Sequence, residues 1–243
     1  MLALLYKEIG SFLSSLLGYL IITVFLLAIG LYMWVFPGAS NVLEAGYANI
    51  DTLFTMAPWV FMFLIPAITM RAFAEEKRTG TIEQLLTRPL TDLQIILAKF
   101  LAGFFLLIIA LLPTLIYYLS VSYLGNPPDN VDTGGMWGSY IGLLFLGGGF
   151  VAIGIFASSL SENQIVSFIV GIFLCFFVYV GFESISALPV FSLIDNVIQD
   201  LGINEHYISL SKGVIDSRDV IYFLSLITVF LVSTRTVIES RKW

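Results

Sequence analysis

Phe100-Leu101-Ala102-Gly103-Phe104-Phe105-Leu106-Leu107-Ile108-Ile109-Ala110-Leu111-Leu112-Pro113-Thr114-Leu115-Ile116-Tyr117-Tyr118-Leu119-Ser120-Val121-Ser122-Tyr123-Leu124 contains no Asp, Glu, Lys or Arg, and the charge-free run continues to Pro128. A helix needs roughly 20 residues to cross about 30 Å of hydrocarbon, so this stretch reads as a membrane span. On either side the blocks Ile9–Leu43, Thr52–Met70, Thr133–Ser161 and Asn163–Phe182 repeat the pattern. Val220–Thr234 has only 15 charge-free residues, but Arg235 can snorkel and extend that span to Ile238. The expected fold is an all-α integral membrane bundle of six transmembrane helices, near residues 12–36, 53–73, 93–124, 137–160, 164–182 and 220–238. One transmembrane domain should cover residues 1–243.

Composition points the same way. Of 243 residues 58% are apolar and 12% charged, where a soluble domain averages about 25% charged. A pI near 4.7 gives no basic footprint for nucleic acid. Cys175 and His206 are the only cysteine and histidine, which excludes a disulfide framework, a zinc site and a Cys-His or Ser-His-Asp constellation. No metal or other cofactor is expected. Lys7 and Glu8 precede an apolar stretch far longer than a signal-peptide core, so the first span reads as retained.

Charge sets the orientation. The N-terminus, residues 71–99, the turn at 161–164 and the C-terminus carry nine of the eleven cations, Arg241 and Lys242 among them. The opposite loops carry only Lys212 and Arg218, together with ten of the seventeen acids. By the positive-inside rule both termini lie in the cytoplasm, and the chain belongs in an inner membrane.

Span two contains Pro58 and Pro66 and span three Pro113, which a bundle tolerates when neighbours satisfy the freed carbonyls. Span four carries Gly138 and Gly142 as a GxxxG, and Gly154 with Ser158 continues the small-xxx-small pattern. Such residues allow close helix approach, within the bundle or against a second subunit, with a substrate-lining role as the alternative. Residues 189–202 read as a short external amphipathic helix between spans five and six. Val190, Ile194, Val197, Ile198 and Leu201 share one face, and Gly202 follows as C-cap.

Function should reside in the connection between spans two and three, Glu75-Glu76-Lys77-Arg78-Thr79-Gly80-Thr81-Ile82-Glu83-Gln84-Leu85-Leu86-Thr87-Arg88-Pro89. Thr81 and Gln84 have capping-box spacing, and Pro89 stops a helix at Arg88. Ile82, Leu85 and Leu86 lie on one side. Thr91 with Gln94 is a second capping box that starts the next long helix. The bland alternative is a solvated charged loop. A short, separately capped, two-sided helix is instead what docking a cytoplasmic partner requires.

The run from Glu76 to Pro89, Glu-x-x-x-Gly-Thr-Ile-Glu-x-Leu-Leu-Thr-x-Pro, resembles the signature of ABC-2-type permeases. Leu5-Tyr6-Lys7-Glu8-Ile9 resembles that family's N-terminal Lys-Glu motif on an amphipathic connecting helix. Residues 154–166 resemble its turn between spans four and five, and residues 211–223 its lead into the last span. The closest subtype is the gliding-motility-associated permease of the GldF type, near the NosY-like permeases. The resemblance implies an ABC ATPase subunit seated on a coupling helix formed by Glu76, Gly80, Thr81, Glu83, Leu85, Leu86 and Pro89. It also implies a second permease-like subunit with a large external domain, in a hetero-oligomer or, failing that, a homodimer.

The remaining polar residues read as structural. His206 is expected to be an interfacial loop residue, Glu183 a hydrated boundary carboxylate, and Asp216, Arg218 and Asp219 local caps and surface pairs. No acid or base is expected deep in a span, which disfavours an ion-coupled transporter. No GxxxxGK[ST] occurs, so ATP hydrolysis is expected in a partner. The reading is a non-catalytic permease subunit of an ABC exporter, probed against one alternative, a membrane scaffold or anchor without transport of its own.

Overall fold

A computed structural model describes residues 1–83, 90–127, 130–188, 195–213 and 215–240. Among the described residues the regular structure is helical throughout, without a strand. Six helical stretches are long and apolar enough to cross a membrane: Leu16–Trp34, Asp51–Arg78, Asp92–Leu124, Thr133–Leu160, Gln164–Ser186 and Ser217–Glu239. This is the all-α six-span bundle expected from the apolar blocks.

The chain opens with a helix of its own, α1 (Leu2–Leu13), and the first span, α2 (Leu16–Trp34), starts at Leu16 rather than near residue 12. The elbow is built by Ser15, whose extended backbone ends one helix and whose Oγ accepts the Gly18 N–H at 3.1 Å to start the next. A side chain on Gly18 would run into the Phe12 carbonyl, so this corner closes only around glycine. Along α2 the buried residues Ile21, Phe25, Ile29 and Met33 recur every fourth position, while Leu20, Val24, Leu27 and Leu31 are exposed. One stripe faces protein and the remainder faces lipid.

The second span runs through α3 (Asp51–Thr69) and is interrupted at Met70 before continuing as α4 (Arg71–Arg78). Residues 71–78 therefore extend span two, whereas the sequence reading assigned Glu75 onward to a separate connection. The third span is α5 (Asp92–Leu111), a 3₁₀ turn at Leu112–Thr114, and α6 (Leu115–Leu124). Its start carries the Thr91–Gln94 capping box. Pro113, which has no N–H to continue the ladder, sits in the turn.

The fourth span, α7 (Thr133–Leu160), is the centre of the bundle and packs against α3, α4 and α5. The fifth is α8 (Gln164–Phe176), a π-helical turn at Phe177–Gly181, and α9 (Phe182–Ser186), so it continues past the expected exit near 182. The last span is α12 (Ser217–Glu239), which also lies on α7.

Between spans five and six the expected helix over 189–202 needs correction. Val190 and Ile194 lie outside the described residues. The remainder forms α10 (Asp195–Gln199), and Gly202 is the N-cap of a further helix, α11 (Ile203–Ser211). Gly202 N–H closes on the Gln199 carbonyl at 2.8 Å, then its extended backbone restarts the chain. Ile203, Tyr207 and Leu210, at spacings of four and three, turn α11 into the bundle, where it covers α7.

Candidate functional site at the end of the second span

The interruption at Met70 has an identifiable cause. Ser158 Oγ, from α7, accepts the N–H groups of Phe73 and Ala74 at 2.9 and 3.1 Å and donates to the Met70 carbonyl at 2.9 Å. A hydroxyl inserted into the backbone ladder interrupts it while satisfying the groups it frees. Gly154, one turn earlier on α7, admits the Thr69 side chain at a position where any Cβ would collide with it. Both members of the predicted small-xxx-small pair are thus occupied by the chain's own second span.

The first pair of the stripe is also filled from within. A Cβ on Gly138 would lie 2.6 Å from Gly213 Cα and 2.8 Å from the Leu210 carbonyl. Gly142 faces Leu210 and Tyr207 at 3.3–3.4 Å. Gly213 itself has φ +81, a left-handed conformation that favours glycine, and it is wedged against the backbone of Gly134 and Gly135. Of the two partners left open by the sequence, these four positions meet the chain's own α11, the turn after it, and the second span at α3, Met70 and α4.

α4 is held from three sides. Lys77 is buried, and its Nζ donates to the Ser159 carbonyl at the C-terminal end of α7, where carbonyls lack helical partners. Phe73 is buried in the core. Glu76 turns inward: its Oε1 is 2.9 Å from Lys99 Nζ on α5, and the same Nζ is 2.9 Å from Glu8 Oε1 on α1. Lys7 stands 3.9 Å from Glu8 Oε1 and 3.8 Å from Glu76 Oε1, closing a neutral four-membered cluster of two cations and two carboxylates. Lys99 Nζ also sits 5.1 Å from the centre of the Phe73 ring, within cation–π range.

Two of the predicted groups are therefore brought together that the sequence kept apart. Lys7 and Glu8, the N-terminal motif, meet Glu76, which had been grouped with the docking residues. Glu76 Oε2 is buried without a hydrogen-bond partner. Lys99 lies near the end of its span, two turns into α5, yet its side chain is only 1% exposed. Burial is tolerated because two carboxylates meet the ammonium there. The signal available in sequence was that Lys99 is the last charge before the charge-free block that starts at Phe100.

Beyond the clamp the chain emerges into the open. Thr79 ends α4, with its N–H on the Glu75 carbonyl and its Oγ1 2.9 Å from Thr81 Oγ1. Gly80 has φ +69 and turns the chain out of α4. Gly80, Thr81 and Glu83 are exposed, while Ile82 is half-buried and packs back on the core. Leu85, Leu86 and Pro89 lie outside the described residues. A cavity of about 470 Å³ opens beside the clamp, with Arg71, Glu75 and Thr81 on its wall.

At the other end of the bundle His206 is a structural node that the sequence reading missed. Its Nδ1 lies 2.7 Å from Asp219 Oδ1, its Nε2 is 2.9 Å from the Asp200 carbonyl, and its ring stacks on Tyr222 at 3.8 Å. Asp216 does cap α12, accepting the Arg218 N–H. Asp219 is a buried group rather than a surface pair. Among the described residues no cluster of His, Cys, Asp and Glu has the makings of a metal site.

The arrangement is a short helix, tied to the third and fourth spans and to α1, that leads directly into an exposed polar turn. A family model described as ABC-2 family transporter protein matches residues 39–202, from the loop after α2 to the start of α11. No curated protein matches the chain.

Proposed function

The chain belongs to the ABC-2 transporter family, as a multi-pass membrane permease that works with an ABC ATPase, and we propose that residues 79–89 are where that ATPase docks. The observation that carries this reading is the α4 clamp. Ser158, Lys77 and the Lys99 cluster join the helix preceding the docking segment to α7, α5 and α1. A push on the turn at Gly80–Glu83 then moves spans two, three and four together with α1 as one body. Glu83 supplies charge for orientation, and Leu85 and Leu86 the apolar anchors; losing a desolvated anchor of this kind costs about 2 kcal/mol or more.

The reading extends to an exporter of the gliding-motility type, in which one domain over residues 1–243 pairs with a second permease-like subunit in the inner membrane, both termini in the cytoplasm. What supports it is the residue-level resemblance of the four sequence patches and the nine-to-two division of cations.

The test is purification from the native host with mass spectrometry of what accompanies the chain. The wild type should bring down an ATPase and a second permease. Glu83→Arg, and Leu85→Ala with Leu86→Ala, should insert normally yet lose the ATPase or uncouple its hydrolysis from function, while Thr87→Ser behaves as wild type. Full partner binding and activity in both disruptive variants would remove the docking assignment.

A further inference from the structure

At the end of the bundle opposite the α4 clamp, a cavity of about 820 Å³ opens between α3, the fifth span and α11. Two helical stripes face it. On α3 the stripe is Asp51, Thr55 and Trp59, each four residues after the last. On the fifth span it is Tyr179 and Glu183, also four apart. Each stripe has a carboxylate nearer the helix end and an aromatic ring deeper in. With a rise of about 1.5 Å per residue, Trp59 lies about 12 Å below Asp51 and Tyr179 about 6 Å below Glu183.

The two rings form a corner. Trp59 and Tyr179 have centroids 5.8 Å apart and planes 80° to one another. Tyr179 is carried there by the π-helical turn at Phe177–Gly181, and such single turns are frequent at functional sites. The corner is braced on its third side: Tyr207 Oη donates to the Phe54 carbonyl at 2.7 Å and fixes α11 on α3, and Asn204 Nδ2 holds Glu183 Oε2 at 3.1 Å. Burial raises the Tyr207 phenol well above its ordinary value, so it remains a neutral donor. Among the described residues of the wall, Lys212 is the one cation set against Asp51 and Glu183.

We propose that this cavity binds an organic cation with an apolar body, its charge held at the Trp59–Tyr179 corner under Glu183. Perpendicular aromatic faces attract a diffuse cation through the ring quadrupole, and a carboxylate above them completes the charge balance. The volume lies in the range of small-molecule pockets, with a wall that is mostly apolar. A small hydrated inorganic cation gains little from such walls. The ordinary explanation of Trp59 and Tyr179, as members of an interfacial aromatic belt, predicts no charge selectivity. The assignment concerns binding at this end of the chain and does not rest on where the ATPase docks.

The experiment is equilibrium binding of radiolabelled tetraphenylphosphonium to the full chain in lipid nanodiscs, with tetraphenylborate, of the same shape and opposite charge, as the partner probe. Empty nanodiscs give the lipid background for each ion. The phosphonium should bind saturably and the borate should not. Trp59→Leu should weaken phosphonium binding about tenfold, the scale of a desolvated cation–π contact, and Glu183→Gln, at an exposed position, should weaken it measurably through loss of the carboxylate charge. Tyr179→Phe, which keeps the ring, should stay within about threefold of wild type, and Lys212→Gln should tighten binding. Equal saturable binding of the borate, or phosphonium binding unchanged in both Glu183→Gln and Trp59→Leu, would overturn the assignment.

Discussion

Lys99 Nζ and Glu8 Oε1 lie 2.9 Å apart although 91 residues separate them in sequence. The contact ties the N-terminal helix to the third span, and Glu76 joins from the second at the same distance. It is the point at which three separate segments become one mechanical unit.

Removing that ammonium leaves two partly buried carboxylates with only the exposed Lys7 ammonium, 3.8–3.9 Å away, to offset them. Lys99→Met should lower stability by about 3 kcal/mol, the usual cost of stripping one partner from a buried ion cluster. The triple variant Lys99→Met, Glu8→Gln, Glu76→Gln should recover much of the loss, because no uncompensated charge remains. Thermal unfolding in detergent reads both. A single variant no less stable than the triple would mean that the cluster is an exposed, screened pair. Lys7→Met, at a residue 64% exposed, should change little.

Glycine positions on α7 should divide by their neighbours. Gly138→Ala places a methyl 2.6 Å from Gly213 Cα, which is backbone and cannot turn away. A loss of about 1–3 kcal/mol is expected for overpacking of this kind. Gly148→Ala on the same helix meets nothing nearer than 3.4 Å and should be neutral or slightly stabilising. Equal effects in a thermal-shift measurement would show that the stripe does not pack as described.

Orientation is open to labelling. In a Cys175→Ser background, which removes the only cysteine, cysteines at Asn130 and Glu205 should react with a membrane-impermeant maleimide on sealed cells. A cysteine at Thr79 should react only after permeabilisation. All three residues are solvent-accessible or exposed in the fold, so silence reports sidedness rather than burial. Reaction at Thr79 in sealed cells would reverse the topology and carry the docking proposal to the wrong side of the membrane.

Much of the architecture was legible because lipid imposes a one-dimensional rule. Each span must be a run of apolar residues, and cations collect on one side. Local chemistry was legible for the same reason that it is local: Thr91 and Gln94 cap α5, Asp216 caps α12, and Gly80 takes the left-handed turn. α11 was missed because its buried face, Ile203, Tyr207 and Leu210, follows directly on a stretch already read as one amphipathic helix, and Gly202 serves both a helix end and a helix start.

Lys99, Glu76 and Glu8 illustrate the boundary between the two kinds of information. By itself the amino-acid sequence determined that the chain has six stretches long and apolar enough to cross a membrane, and where their ends fall to within a few residues. Those follow from interactions between residues a turn or two apart, or between a side chain and a uniform solvent. That a lysine flanking a long charge-free block would be buried against carboxylates from two other helices, that Ser158 would bond the backbone of the second span, and that His206 would meet Asp219 were decided only by tertiary structure. A charge near a span end is equally compatible with water and with a partner until the packing of neighbouring helices removes the water and supplies the partner.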